Sequence, residues 1–120
     1  MKILIVDDEA IVRRSLRRAA EHRGHEAIEA EGGQQGLQLW CQESPDLVFL
    51  DVLMPDLSGP EVLSRLGEKK GPAKVILISA YAGDYDSGAA QQMGADLFLP
   101  KPFADIFKVI DLAEKMVNRV

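Results

Sequence analysis

The sequence predicts a three-layer α/β domain built on a parallel sheet, and two observations carry that reading. Apolar runs at residues 3–6, 47–50, 75–78 and 97–99 are continuous rather than alternating, as strands covered on both faces are. Longer segments of helical period separate them, so strand and helix alternate along the chain. That order favours parallel pairing through right-handed crossovers.

The elements follow in sequence. Ile3-Leu4-Ile5-Val6 is the first strand and runs straight into Asp7-Asp8. Val12, Leu16, Ala19 and Ala20 share one helical face. Residues 26–30, centred on Ala27-Ile28, make a weaker strand suited to a sheet edge. Leu37, Trp40 and Cys41 mark the second helix, and Leu47-Val48-Phe49-Leu50 the third strand. Val62, Leu63 and Leu66 form the third helical stripe, with Pro60 well placed in its first turn. After the fourth strand, the stretch 81–88 carries two glycines where a helix should begin; Ala89, Ala90 and Met93 continue it and Gly94 ends it. Ile106, Ile110, Ala113 and Val117 form the fifth helix, widened by Phe103 and Phe107. That helix runs almost to Val120, so residues 1–120 are expected to form one domain without an effector segment.

Size and charge set further bounds. A chain of 120 residues fits one core, and 47% hydrophobic content excludes a disordered class. No apolar run approaches about 18 residues, and the first is too short for a secretory signal, so no membrane span or export is expected. One cysteine, Cys41, excludes an internal disulfide and suits the cytoplasm. A net charge of −5 disfavours direct nucleic-acid binding.

The polar residues concentrate at strand ends. Asp7-Asp8 follow the first strand, Asp51 the third and Ser79 the fourth, and Lys101 stands two residues beyond Leu99. Open α/β sheets bind ligands outside the carboxyl ends of their strands. In the flavodoxin-like order 2-1-3-4-5, strands one, three and four are central and about 4.8 Å apart, which brings the three aspartates together. Such a cluster takes up protons or holds a cation. With no Cys or His beside it, a hard ion such as Mg²⁺ fits best. Lys101 offers a point charge and Ser79 a hydroxyl for a phosphoryl group, and an aspartate can itself accept one.

On these residues the sequence resembles the response-regulator receiver domains of two-component signalling. The pieces that carry the resemblance are Ile5-Val6-Asp7-Asp8-Glu9, Asp51-Val52-Leu53-Met54-Pro55-Asp56-Leu57-Ser58-Gly59, Ser79-Ala80, Gly94-Ala95-Asp96 and Lys101-Pro102-Phe103. The resemblance implies that Asp51 accepts phosphate from a histidine kinase or phosphotransfer protein. It implies Mg²⁺ bound by Asp7, Asp8, Asp51 and the Leu53 backbone carbonyl, and a phosphoryl group held by Ser79 and Lys101. It further implies a cis Lys101–Pro102 bond and a switch pair of Ser79 and Phe98, an aromatic without a hydroxyl. The face of the fourth helix, fifth strand and fifth helix would meet an output protein, a fused effector outside this chain, or a second copy. Leu53 and Tyr81 border the approach of a hydrolytic water in such domains. Neither is a good water-activating group, so a long-lived phosphoprotein is expected.

Other readings stand beside this one. A phosphohydrolase with an Asp nucleophile usually carries a second acid two residues on, where this chain has Leu53. A flavodoxin-like cofactor binder needs a Gly/Ser/Thr-rich first loop, and Asp7-Asp8-Glu9-Ala10 would repel an anion. A binding-only pseudo-receiver would not need the full acidic set. Arg13, Arg14, Arg17 and Arg18 form a double row read as a solvated face or a kinase-docking surface. Trp40 and Cys41 read as core or boundary residues, and His22 and His25 as surface residues.

Overall fold

A computed structural model describes residues 1–80 and 87–118 of the chain. Its elements are β1 (Lys2–Val6), α1 (Ala10–His22), β2 (Glu26–Ala30), α2 (Gly33–Glu43), β3 (Leu47–Asp51), α3 (Gly59–Leu66), β4 (Lys74–Ser79), α4 (Ser87–Gln92), β5 (Leu97–Pro100) and α5 (Ile106–Val117). A 3₁₀ turn at Gly67–Lys70 follows α3 and was not legible in the sequence. All strand pairs are parallel, in the order β2-β1-β3-β4-β5, as the sequence predicts.

Alternate strand residues feed two cores, which explains the continuous apolar runs. Ile3, Ile5, Leu47, Phe49, Ile76 and Ile78 pack with Leu16, Ala19 and Ala20 of α1 and Ile110 and Ala113 of α5. Leu4, Val6, Val48, Leu50, Val75 and Leu77 pack on the other face with Trp40, Val62, Leu63, Leu66 and Ala90. With both faces covered, neither parity of the strand can be polar. No helix among the described residues is long and apolar enough to cross a membrane.

Helix starts are set by particular side chains. Ser58 and Glu61 form a reciprocal capping box on α3, with Pro60 in its first turn. Asp105 caps α5 by accepting the N–H groups of Phe107 and Lys108. The α2 helix lacks a cap of its own; Asp56, on the loop after β3, accepts from Gly33 N–H at 3.0 Å and Gln34 N–H at 2.9 Å. These N–H groups, that of Gln34 foremost, hold the Asp56 carboxyl below the usual carboxylate range. Asp56→Ala is expected to cost about 1 kcal/mol at neutral pH. Because folding depresses this pKa, the stabilisation is present above the unfolded value and lost as pH falls through the folded one. The gap in urea midpoints between wild type and variant should therefore shrink in acid; a constant gap would remove the charge from the cap.

Gly59 opens α3 directly under the end of β3. A Cβ there would lie 2.6 Å from the Asp51 carbonyl oxygen, too close to coexist with that backbone. Gly59→Ala is expected to destabilise the fold by about 1–3 kcal/mol, read as a lowered urea midpoint. An unchanged midpoint would show that the loop yields at no cost.

Four residues depart from expectation. Cys41 is exposed, because the buried stripe of α2 runs through Gly33, Gly36 and Trp40 and turns Cys41 past it. Phe107 is 40% exposed and covers the end of α1, edge-on to His22 and 5.6 Å from the Arg23 guanidinium carbon; Val109 takes its expected place in the core. His25 is half-buried between the Met1 amine and Glu114, its Nε2 2.7 Å from the carboxylate. Arg13 is buried, unlike Arg14 and Arg18, where it donates to the buried Asp7 carbonyl and to the half-buried Glu29.

Candidate functional site

The end of β1 and the end of β3 are neighbours. Val6 pairs with Leu50, so Asp7 and Asp51 emerge side by side, and Asp51 in turn pairs with Ile78 beside Ser79. Asp7, Asp51 and Ser79 are all buried, whereas Asp8 is exposed. Among the described residues, Asp7, Asp8 and Asp51 each offer a carboxylate oxygen within 4.8 Å of the others, a group that could hold a metal ion. An oxygen-only donor set with one exposed member fits a hard divalent cation that keeps part of its water.

Lys101 enters from the end of β5. Its N–H donates to the Ser79 carbonyl at 2.8 Å, fastening the β5 end to β4, and the Lys101–Pro102 bond is cis. The ammonium lies 2.9 Å from Asp7 Oδ2, 2.8 Å from Glu9 Oε1 and 3.4 Å from Asp51 Oδ1. Burial alone would depress its pKa, but hydrogen bonds to Glu9 and Asp7 and the Asp51 charge raise it, so it stays protonated. Burial pushes Asp51 up to about 7, helped by the Asp7 charge and a hydrogen bond with Asp8 and opposed by Lys101. Burial also raises Asp7, against the Glu9 N–H and Lys101. One ammonium cannot neutralise so many carboxyl groups, and the unmet negative charge is what a divalent cation would relieve.

Asp8, Glu9, Asp51, Leu53, Ser79, Ala80 and Lys101 line a cleft of about 170 Å³ over these groups. Leu53 stands at its rim, 51% exposed. Larger grooves of about 390 and 430 Å³ border α2 but hold no carboxylate cluster. Phe98 is 9% exposed, packed in the core layer that contains Leu77, Ala90 and Ala95. Tyr81 lies outside the described residues. The structure thus brings together Asp7, Asp8, Asp51, Leu53, Ser79 and Lys101. Sequence reasoning missed the role of Glu9 as a partner of Lys101, which nothing local marks. It also missed Arg13, whose spacing of three from Leu16 and seven from Ala20 places it on the buried stripe.

Fold and cleft together define a receiver-type signalling domain. The sequence matches the response regulator receiver domain over residues 3–111, and the chain belongs to that family. Response regulator MprA of Mycolicibacterium vanbaalenii is 38% identical over 104 residues, covering 87% of this chain and 45% of that protein. The alkaline phosphatase synthesis transcriptional regulatory protein PhoP of Bacillus subtilis is 35% identical over 103 residues, covering 86% and 43%. The receiver domain of Francisella response regulator 1452 superposes with a TM-score of 0.88 at 26% identity, covering 98% of this chain and 97% of that one. The chain spans less than half the length of the curated relatives MprA and PhoP.

Proposed function

We propose that residues 1–120 act as one receiver unit that accepts a phosphoryl group on Asp51 from the phosphohistidine of a histidine kinase or phosphotransfer protein. The observation that supports this most is the buried Asp51 carboxylate, clustered with Asp7 and Asp8 and 3.4 Å from Lys101 Nζ. In the transfer an Asp51 oxygen bonds to phosphorus as the donor's P–N bond breaks, and the released imidazole nitrogen takes up a proton from solvent. Asp7, Asp8, Asp51 and the Leu53 carbonyl would hold Mg²⁺, which supplies charge neutralisation for the transferred group. Lys101 pairs with one phosphoryl oxygen and the Ser79 hydroxyl donates to another. Incubation with a small phosphodonor should add one phosphoryl mass only when Mg²⁺ is present; labelling in chelator would overturn the metal role.

Movement of Ser79 toward the phosphoryl group would vacate space beside the Phe98 ring, which is already buried and would repack into it. The face of α4, β5 and α5 would then change toward an output protein, a fused effector or a second copy. The curated relative named as a transcriptional regulatory protein supports a fused effector. A cytoplasmic location belongs to the same reading, as does action without direct nucleic-acid contact, given the net charge of −5.

The acyl phosphate should be long-lived. Leu53 at the cleft rim neither orients nor polarises water, and Tyr81 is a poor base at neutral pH because phenols titrate near 10. Changing Leu53 to Asn and Tyr81 to Gln together is expected to speed phosphate loss by about tenfold. That is below the roughly 100-fold of a positioned acid–base group, because an amide orients water without taking its proton. Phosphate followed after donor removal at an unchanged rate in the double variant would refute this.

A further inference from the structure

Arg13 sits one step behind the cleft and is 8% exposed. Its Nη1 donates to the Asp7 carbonyl at 2.8 Å and its Nε to Glu29 Oε1 at 3.1 Å. Glu29, on the edge strand β2, also accepts from Arg17 at 3.1 Å, so it is anchored from both sides. Asp7 is thereby held at four points. Its N–H donates to the Ala30 carbonyl at 3.2 Å, its Oδ1 accepts the Glu9 N–H at 2.8 Å, and its Oδ2 accepts Lys101 at 2.9 Å. The fourth point is the carbonyl, which leaves the sheet before α1 begins; among the described residues no backbone N–H outside the regular elements reaches it. Burying a guanidinium is costly unless it is fully paired. Arg14, one residue on, faces solvent, whereas Arg13 lies on the buried stripe of α1 and meets the Asp7 carbonyl and Glu29 there.

We infer that Arg13 is a positioning residue for metal binding: Glu29, Arg13 and the Asp7 main chain form a brace that sets the Asp7 carboxylate against Asp8 and Asp51. The inference rests on the metal site proposed above. The brace acts on the Asp7 carbonyl and not on its carboxylate, so its effect is on geometry. Partners that orient a metal ligand from outside the coordination sphere commonly change affinity by about 10–100-fold when removed.

The test is calorimetric titration of Mg²⁺ into the full chain, with thermal unfolding in chelator run alongside. Arg13→Met is expected to weaken Mg²⁺ binding by about tenfold, and Arg13→Lys, whose single ammonium can still reach the carbonyl, to recover part of it. Glu29→Gln, which keeps an acceptor for Nε but removes its charge, is expected to weaken it by about threefold. A purely structural role would lower the unfolding temperature in chelator and leave the affinity of the folded protein unchanged. Affinities within about twofold of wild type across the folded variants would overturn the brace while leaving the metal site standing. A wild-type protein that binds no Mg²⁺ would overturn both. Should Arg13→Met fail to fold, Glu29→Gln decides: an unchanged affinity there overturns the brace, and a weakened one supports it.

Discussion

Asp51→Asn is expected to take up no phosphate from any donor, the largest effect anticipated for a single substitution in this protein. The amide keeps the volume of the side chain but lacks the anionic oxygen that must bond to phosphorus. The same change should also stabilise the metal-free fold at alkaline pH. Asp51 is 3% exposed, and burial and Asp7 push it up to about 7 despite Lys101. With the folded pKa above the ordinary 3.8, the ionised carboxylate costs stability; the cost is absent below the unfolded value and grows as pH rises toward 7. In chelator, Asp51→Asn should therefore unfold at a higher temperature than wild type at pH 8, and the advantage should shrink toward pH 4. A variant that is both inert and more stable separates lost chemistry from lost folding. Phosphorylation of Asp51→Asn at the same peptide would end the assignment.

Lys101→Ala is expected to slow phosphate uptake by about 10²–10³-fold, the range for removing one preorganised group that stabilises developing charge. Its ammonium is already held beside Asp51, 3.4 Å from Oδ1, where the phosphoryl group would arrive. Removing it leaves Asp7, which is wholly buried, without its cation and exposes the cluster to its own repulsion. Mg²⁺ would then meet less competition, and Lys101→Ala should bind it at least as tightly as wild type. Slow transfer with intact metal binding assigns Lys101 to the phosphoryl group. Uptake at the wild-type rate would take it out of the step, and loss of metal binding would show that it organises the acidic cluster instead.

Much of this was readable before any coordinates. The strands announce themselves because β1, β3 and β4 lie between two cores, so every residue of each run must be apolar. Their order follows from strand–helix alternation, and the order in turn carries Asp7, Asp51 and Ser79 to one edge. Pro60 marks the start of α3 from the local sequence alone. In each case the signal and its cause are local, or repeat along the chain.

What the sequence left open depends on partners far away in it. Asp56 caps α2 from 22–23 residues on, and Glu9 and Asp7 meet Lys101 across 92 and 94. Phe107 leaves the core for the end of α1, and His25 is fastened to Glu114 across 89 residues. The spacing of Arg13 from Leu16 and Ala20 puts it on the buried stripe of α1, but nothing local says what would pair a guanidinium there. A charged side chain is buried only where the fold supplies both its counter-charge and an acceptor, here Glu29 and the Asp7 carbonyl. The sequence by itself determined the sheet, its order and the strand-end cluster, because periodic burial is written into each segment. Only the tertiary structure decided which polar groups hold that cluster in place, because a hydrogen bond needs both partners within about 3 Å and sequence distance does not encode that approach.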